Sequence, residues 1–163
     1  MITLLAFYAG RPKAVTAIGV VKGVFEQRGL KLEDVAAEPL PAAADEDLDA
    51  IIDRDGREAA PALAGYTSKT LFSNLWRRPG LAARDRCLVT IAALIAEGRT
   101  DQLAFYVDKG MRNGLTRVEI SEAIRHLAFY VGWPRAISAA RITKAAFKAQ
   151  LPNGGRPSAR KAQ

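Results

Sequence analysis

A segment near the start of the chain recurs near its end, and this repeat limits the folds open to the sequence. Residues Leu5–Phe25 align with Leu127–Phe147 without a gap, and ten of the 21 aligned pairs are identical. Both segments carry the pattern Leu-Ala-Phe-Tyr-x-Gly-x-Pro-x-Ala, with the glycine and the proline in register. Chance similarity between two alanine-rich helices would not preserve that register. The pattern therefore indicates an internal repeat, and we expect the first copy to consist only of the second half of the unit.

The shared glycine and proline predict how each copy folds. Gly10 or Gly132 ends one helix, and the proline two residues later begins the next, where a first-turn proline loses no hydrogen bond. We expect the second helix of each copy to run to about Gln27 and about Gln150, respectively. The apolar segment Met1–Val24 is then a folded helical hairpin and not a targeting peptide, because no basic leader precedes its apolar run.

Between the two copies, apolar residues recur at helical spacing, and glycine or proline separates the runs. Alternating strand patterns are missing. Thr116 and Glu119 form a Thr-x-x-Glu capping box, which marks the start of a helix. The predicted helices are Thr67–Trp76, Ala82–Glu97, a helix capped by Thr100 that runs to Arg112, and Arg117–Val131. The sequence therefore predicts an all-α helical bundle.

Charge divides the chain further. The segment Pro41–Pro61 has seven acidic residues and two arginines, a net charge of −5, whereas the whole chain carries +7. One short helix is expected there, at Asp47–Ile52. The predicted segments are a repeat half at residues 1–40, an acidic linker at 41–65, a helical domain at 66–151 and a disordered basic tail at 152–163.

Composition also restricts the functional classes. A basic chain can bind nucleic acid or an anionic metabolite, but the lysines and arginines are scattered, so we do not expect nucleic acid. The only cysteine is Cys87, which excludes an internal disulfide and Cys-x-x-Cys chemistry and fits a reducing cytoplasm. No run approaches the roughly 20 apolar residues of a membrane span. We expect a cytoplasmic protein that binds a small anionic substrate and needs no cofactor or metal.

The only histidine, His126, lies off the apolar stripe of its predicted helix. At 100° per residue it falls in line with Glu122 and Tyr130, one turn away on either side. Such a line can hold an imidazole in one tautomer with a pKa near neutrality, as acid–base catalysis requires. The alternative is that the same line packs at a subunit interface, with Glu122 paired to Arg125 or to solvent.

Tyr106, on the preceding helix, borders an apolar stripe. Its phenol could donate a hydrogen bond to a carboxylate or lactone oxygen, or it could be half-buried packing. Trp76 and Trp133 flank the helical block and could wall a substrate pocket, although tryptophans pack into cores more often.

Cys87 is one turn into its helix, near Arg84 and Arg86. These arginines could lower the pKa of the thiol or hold an anionic substrate. The alternative is a solvated first turn or a salt-bridged subunit surface.

Three blocks of the chain together resemble the carboxymuconolactone decarboxylase family. They are Trp76-Arg-Arg-Pro-Gly-Leu-Ala-Ala-Arg-Asp-Arg, Gly110-x-x-Asn-Gly-x-Thr-x-x-Glu-Ile, and His126-Leu-Ala-x-Tyr-x-Gly-x-Pro-x-Ala. The resemblance covers about Leu71 to Phe147. It implies the all-α fold shared with alkylhydroperoxidase D, assembly into trimers or hexamers, and a shortened two-copy member.

The chain departs from the family pattern at its reactive positions. The peroxidase branch needs Cys-x-x-Cys followed four residues later by histidine, and the aligned residues here are Arg99, Gln102 and Tyr106. Without a thiol pair there is no disulfide cycle, so that activity is rejected. The decarboxylase branch usually has histidine at the position of Tyr106, and Cys87 occupies an upstream position that is often Glu or Ser.

The resemblance implies decarboxylation, or related acid–base chemistry, on a small carboxylated lactone or aromatic-degradation intermediate. We expect His126 to act as acid or base, Tyr106 as hydrogen-bond donor, and Arg84 or Arg86 as carboxylate anchor. The alternatives are a non-catalytic oligomeric scaffold, a single-cysteine peroxidase-like enzyme that uses Cys87, and a nucleic-acid binder.

Homo-oligomerisation is expected on physical grounds as well. The amphipathic segment Val15–Phe25 copies Ile137–Phe147 but has no first-copy partners to cover its apolar face. It is expected to pack on the second copy, in the same chain or in a neighbour.

Overall fold

The structure, a computed structural model, describes residues 1–30 and 54–149, apart from the side chains of residues 54–56. Within these ranges every regular element is helical and no strand occurs. The elements are α1 (Ile2–Ala9), α2 (Arg11–Gln27), α3 (Arg54–Ala59), α4 (Pro61–Tyr66), a π-helical segment (Thr67–Phe72), a 3₁₀ turn (Leu75–Arg77), α5 (Ala83–Glu97), α6 (Leu103–Arg112), α7 (Arg117–Val131) and α8 (Trp133–Ala149). The prediction of an all-α fold is confirmed.

Helix α5 is the central element of the core. It packs against α1, α6, α7 and α8. Ile91, Leu94 and Ile95 recur at helical spacing along α5 and are buried. Leu103 of α6 and Ile120 of α7 are fully buried in the same cluster. Because four helices cover α5, it is apolar almost all round, as expected of a helix in the middle of a bundle.

The two repeated segments have closely similar turns. Gly10 separates α1 from α2 at φ 89° and ψ 151°, and Gly132 separates α7 from α8 at φ 87° and ψ 150°. A side chain is rarely tolerated at such positive φ values, so the glycine in the shared pattern has a conformational cause. Ala14 and Ala136, four residues after each glycine, are both buried.

Two predicted helix starts have different outcomes. Helix α7 begins as predicted, since Thr116 Oγ1 accepts from the Glu119 amide and the Glu119 carboxylate accepts from the Thr116 amide. The prediction that Thr100 caps α6 is wrong. Residues 100–102 form a turn after Gly98, whose φ of 70° ends α5, and α6 begins only at Leu103.

The segment before α5 also differs from expectation. The second half of the predicted linker contains α3 and α4, and the predicted helix Thr67–Trp76 is instead a π-helical segment and a 3₁₀ turn. The π-helical segment turns both Leu71 and Phe72 into the core although they are adjacent. The short helix expected at Asp47–Ile52, the tail at 152–163 and the end of α8 at Gln150 lie outside the described residues.

Gly110 on α6 lies where two helices approach closely. A Cβ atom there would lie 2.8 Å from Leu115 Cδ1 and 3.3 Å from Cys87 Cβ. We therefore expect Gly110→Ala to lower the free energy of unfolding by up to about 2 kcal/mol, because core overpacking, which costs about 1–3 kcal/mol, outweighs the roughly 1 kcal/mol by which alanine favours helix. The matched control is Gly19→Ala on α2, where a Cβ meets no atom within 4 Å.

The control variant, Gly19→Ala, should raise the free energy of unfolding by up to about 1 kcal/mol, because alanine favours helix. Urea unfolding followed by circular dichroism measures both values. Equal stabilities for the two variants would contradict the close packing of α5 and α6 at Gly110.

Candidate functional site

A cluster of aromatic and hydroxyl side chains lies where α1, α5, α6 and the 3₁₀ turn meet. Tyr8 Oη and Tyr106 Oη are 2.5 Å apart. The indole N–H of Trp76 donates to Tyr8 Oη at 3.0 Å. The Trp76 ring stacks on the Tyr106 ring, with centroids 5.7 Å apart and planes 16° apart. We call Tyr8, Trp76 and Tyr106 the phenol cluster.

Each member of the phenol cluster is held by a different element. Tyr8 is in the last turn of α1, Tyr106 is in α6, and Trp76 is in the 3₁₀ turn. That turn is held by Arg86, whose Nη1 donates to the Leu75 carbonyl at 2.9 Å and whose Nη2 donates to the Arg78 carbonyl.

The guanidinium of Arg86 is buried, at 3% exposure, and burial lowers its pKa, with a smaller contribution from the positive charge of Arg78. No carboxylate pairs with Arg86 among the residues that the structure describes. A buried cation without an anionic partner is costly, so this arginine retains a capacity to bind an anion.

The interior of the cluster is uncharged at neutral pH. Burial raises the pKa of Tyr8 to about 12. Burial, together with the neighbouring Tyr8, raises the pKa of Tyr106 further. Both phenols therefore remain protonated at neutral pH and can act as hydrogen-bond donors.

Cys87 borders the cluster and is fully buried. Burial raises the pKa of its thiol to about 12, and the positive charge of Arg112 opposes this only in part. The expectation that Arg84 and Arg86 lower this pKa is wrong, because desolvation dominates.

His126 lies elsewhere in the single chain. It is exposed on α7, and its ring contact is with Tyr130, at 5.0 Å between centroids. Tyr130 is itself 74% exposed. The carboxylate of Glu122 accepts from Arg125 at 2.5 Å and 2.8 Å, so it pairs with the arginine. Within one chain, therefore, the structure does not bring His126 together with the buried Tyr106.

Arg84 is engaged at the surface. It pairs with Asp85 at 2.6 Å and with Glu119, and so links the start of α5 to the start of α7. Hydrogen bonds from Thr116, with a smaller contribution from Arg84, lower the pKa of Glu119.

Trp133 and Trp76 do not wall a common pocket. Trp133 lies at the edge of a groove of about 340 Å³ between α7 and α8, against Phe129 at 5.3 Å between ring centroids. The groove is lined by Ile124, Arg125, Ala128, Phe129, Trp133, Ala136, Ile137 and Ala140. It is apolar except for Arg125. It is thus a hydrophobic surface feature, separate from the phenol cluster.

Sequence reasoning missed two members of the site, Tyr8 and Thr90. The repeat held the signal for Tyr8, because it aligns Tyr8 with Tyr130, a residue that was singled out. Thr90 is fully buried on α5, and its hydroxyl lies close enough to Tyr8 to contribute to the pKa of that phenol, although it forms no well-aligned hydrogen bond in the described part of the chain. A hydroxyl in this position can exchange a hydrogen bond with Tyr8 or with another group.

The described residues contain neither a metal-binding cluster nor a helix that could span a membrane. No group of three or more His, Cys, Asp or Glu side chains there could hold a metal ion. No helix in the same ranges is long and apolar enough to cross a membrane.

Comparison with known proteins gives the family. A model of the carboxymuconolactone decarboxylase family matches residues 61–145. The 4-carboxymuconolactone decarboxylase of Acinetobacter baylyi is 37% identical over 83 residues, which cover 51% of this chain and 62% of that protein. The nitrosuccinic acid decarboxylase of Metarhizium robertsii is 31% identical over 83 residues, which cover 51% of this chain and 58% of that protein. Each match spans less than two thirds of the relative. Because the family model matches more than half of its residues, the chain belongs to the carboxymuconolactone decarboxylase family.

Proposed function

We propose that the protein is a decarboxylase that acts on a small carboxylated lactone or a related anionic compound. Both relatives reported above are named as decarboxylases, one of a carboxylated lactone and one of a carboxylic acid. The observation that carries the proposal is the pair of neutral phenols, Tyr8 and Tyr106, whose oxygens are 2.5 Å apart beside the Trp76 indole. Such a pair can stabilise negative charge that forms on a substrate oxygen.

The reaction needs few groups from the protein. The bond between the carboxylate and the ring carbon breaks, carbon dioxide leaves, and the electron pair enters a conjugated enolate with its charge on the carbonyl oxygen. A proton then adds to carbon, so one proton is consumed for each carbon dioxide released. The protein has to bind the carboxylate, stabilise the enolate oxygen and deliver the proton.

Of Arg84 and Arg86, we propose Arg86 as the residue that binds the substrate carboxylate. Its guanidinium has five N–H donors, and the Leu75 and Arg78 carbonyls use Nη1 and Nη2. It is buried without a carboxylate partner in the described ranges, and a substrate carboxylate would offset that cost. Arg84 already pairs with two surface carboxylates and is the weaker candidate.

His126 remains a proposed acid–base residue, on the condition that another chain covers α7. The ring is exposed in the single chain, and it is flanked by exposed apolar surface that a subunit contact would bury. Tyr130, Phe129 and Trp133 are 74%, 72% and 56% exposed. Glu122, Tyr130 and Trp133 would belong to that shared surface. We propose a homo-oligomer, a trimer or a hexamer, in which this surface is buried.

A non-catalytic binding role is the second candidate. It is favoured by the complete burial of Tyr106, since a ligand cannot contact that phenol directly in the single chain. The two candidates differ in a direct assay, because a scaffold would bind without turnover.

The first test is turnover of 4-carboxymuconolactone, followed by loss of substrate absorbance. Tyr106→Phe removes one of the two phenols and keeps the ring. It should lower kcat/KM by about 10-fold, because it removes one neutral hydrogen bond that supports the oxyanion-stabilising phenol pair. The control is Tyr66→Phe, which changes an exposed tyrosine outside the cluster and should retain activity.

The same assay examines the histidine. His126→Ala should lower kcat by about 10²–10⁴-fold if the imidazole transfers the proton. Full activity of this variant would remove His126 from the mechanism. No turnover by the unmodified chain would favour the scaffold role.

The second test is the mass of the protein in solution. Multi-angle light scattering should give a multiple of 17.6 kDa at micromolar concentration. Ile137→Glu, in the α7–α8 groove, should shift the protein toward the monomer because it buries a charge in an apolar contact. Val118→Glu changes an exposed apolar residue that does not line the groove, and it should leave the mass unchanged. A monomeric unmodified chain would contradict the proposed assembly.

The third test concerns the thiol alternative. Because the pKa of Cys87 is raised to about 12, the thiol stays protonated at neutral pH and becomes thiolate only as the pH approaches that value. Native protein should therefore react slowly with Ellman's reagent at pH 8, and urea-unfolded protein should react quickly. Rapid stoichiometric labelling of the native chain would support a cysteine mechanism. Peroxide consumption by the unmodified chain that is lost in the Cys87→Ser variant would establish that mechanism.

A further inference from the structure

We propose that Tyr8, supplied by the first helical hairpin, donates the hydrogen bond that the substrate's enolate oxygen accepts. The inference rests on the proposed function and names the residue that contacts the ligand. Tyr8 lies outside residues 61–145, the segment that the family model matches, so that match assigns it no role.

The hydrogen atoms of the phenol cluster can be assigned by elimination. Trp76 Nε1 is only a donor, so Tyr8 Oη accepts from it. One hydrogen atom lies between the two phenol oxygens. If Tyr8 supplied it, the buried Tyr106 hydroxyl would keep a hydrogen with no acceptor in the described part of the chain, which is costly. The favoured arrangement is therefore that Tyr106 donates to Tyr8.

This arrangement leaves the hydrogen atom of Tyr8 available. Tyr8 Oη then accepts twice, from Trp76 and from Tyr106, and its own O–H can donate to a third group. The buried hydroxyl of Thr90 lies close to Tyr8 without a well-aligned hydrogen bond in the described ranges, and it is one group that can accept this hydrogen. A ligand oxygen could accept the same hydrogen in place of Thr90.

The burial of each group also indicates that a ligand would reach Tyr8 before Tyr106. Tyr106, Cys87 and Thr90 are each 0% exposed, whereas Tyr8 and Trp76 retain accessible surface. A ligand that arrives from solvent therefore meets Tyr8 and Trp76 before it can meet Tyr106. Tyr106 lies behind Tyr8, and its donated hydrogen bond makes the Tyr8 hydroxyl a better donor through cooperativity.

The anchoring of α1 keeps Tyr8 in place. Leu4, one turn earlier, is 1% exposed and packs with Leu71, Phe72 and Leu75. The corresponding tyrosine of the second hairpin, Tyr130, is 74% exposed and has no such position. The same sequence pattern thus gives a buried donor in one hairpin and a surface residue in the other.

The test uses 4-nitrophenolate, a coloured anion that mimics an enolate oxygen, with the full chain. Its absorbance change on binding gives the dissociation constant without any turnover. Tyr8→Phe should weaken binding by about 10- to 100-fold, the usual effect of losing a hydrogen bond to a charged group. Tyr66→Phe, at an exposed tyrosine, should bind as the unmodified chain does.

A second variant separates the donor from simple packing. Tyr8→His keeps a ring with an N–H donor, and it should recover at least part of the affinity that Tyr8→Phe loses. Far-UV circular dichroism establishes that each variant is folded. Equal affinity of Tyr8→Phe and the unmodified chain, no binding by the unmodified chain, or no recovery in a folded Tyr8→His would overturn the assignment.

The probe also separates this inference from the proposed reaction. If the chain binds 4-nitrophenolate through Tyr8 but does not consume 4-carboxymuconolactone, the donor role stands and the proposed substrate fails. If the Tyr8→Phe variant consumes the lactone as fast as the unmodified chain does, the proposed reaction stands and the donor role of Tyr8 fails.

Discussion

The burial of α5 is the constraint on which the rest of the described structure depends. Four helices, α1, α6, α7 and α8, cover it, and three of them, α1, α7 and α8, come from the repeated hairpins. Both hairpins also reach the C-terminal end of α5. Lys13 pairs with Glu97 at 2.5 Å, and Arg135, which the repeat aligns with Lys13, donates to the Ala96 carbonyl at 2.5 Å. The basic residue after the shared proline thus lies at the C-terminal end of α5 in both copies, where a helix favours cations, although Lys13 contacts a carboxylate and Arg135 a carbonyl. These exposed contacts add little stability, but they show that both hairpins dock at the same end of α5.

The phenol cluster follows from this docking. When α1 packs on α5, Tyr8 at its last turn comes within hydrogen-bond distance of Tyr106 on α6. Arg86, on α5 itself, holds the carbonyls on either side of Trp76 and so fixes the indole that contacts both tyrosines. One helix therefore positions all three members of the cluster. The energetic cost is a buried guanidinium, and that same cost makes the region suited to an anion.

Local chemistry made part of this predictable from sequence. The Thr116–Glu119 capping box, the glycine at each hairpin turn and the apolar spacing of α5 are all decided within a few residues, and the structure agrees with them. The predicted cap at Thr100 does not form, because Gly98 ends α5 in a left-handed conformation and the chain needs a further turn before α6 begins.

The candidate site was less predictable, because it depends on contacts between distant residues. Tyr8 and Tyr106 are 98 positions apart, and no local pattern states that their hydroxyls meet. The wrong expectation for Cys87 has the same origin. Adjacent arginines are visible in the sequence, whereas the desolvation that raises the pKa of the thiol depends on the packing of α6 against α5.

The repeat also explains why the two hairpins cannot exchange roles. The alignment sets Leu4 against His126 and Tyr8 against Tyr130. Leu4 packs among Leu71, Phe72 and Leu75, where an imidazole would have to lose its hydration without a hydrogen-bond partner. A histidine is therefore disfavoured in the first hairpin, and it is tolerated in the second because that face of α7 is exposed. The first hairpin therefore has a buried leucine beside a partly buried tyrosine donor. The second hairpin has a histidine at the aligned position, on the surface.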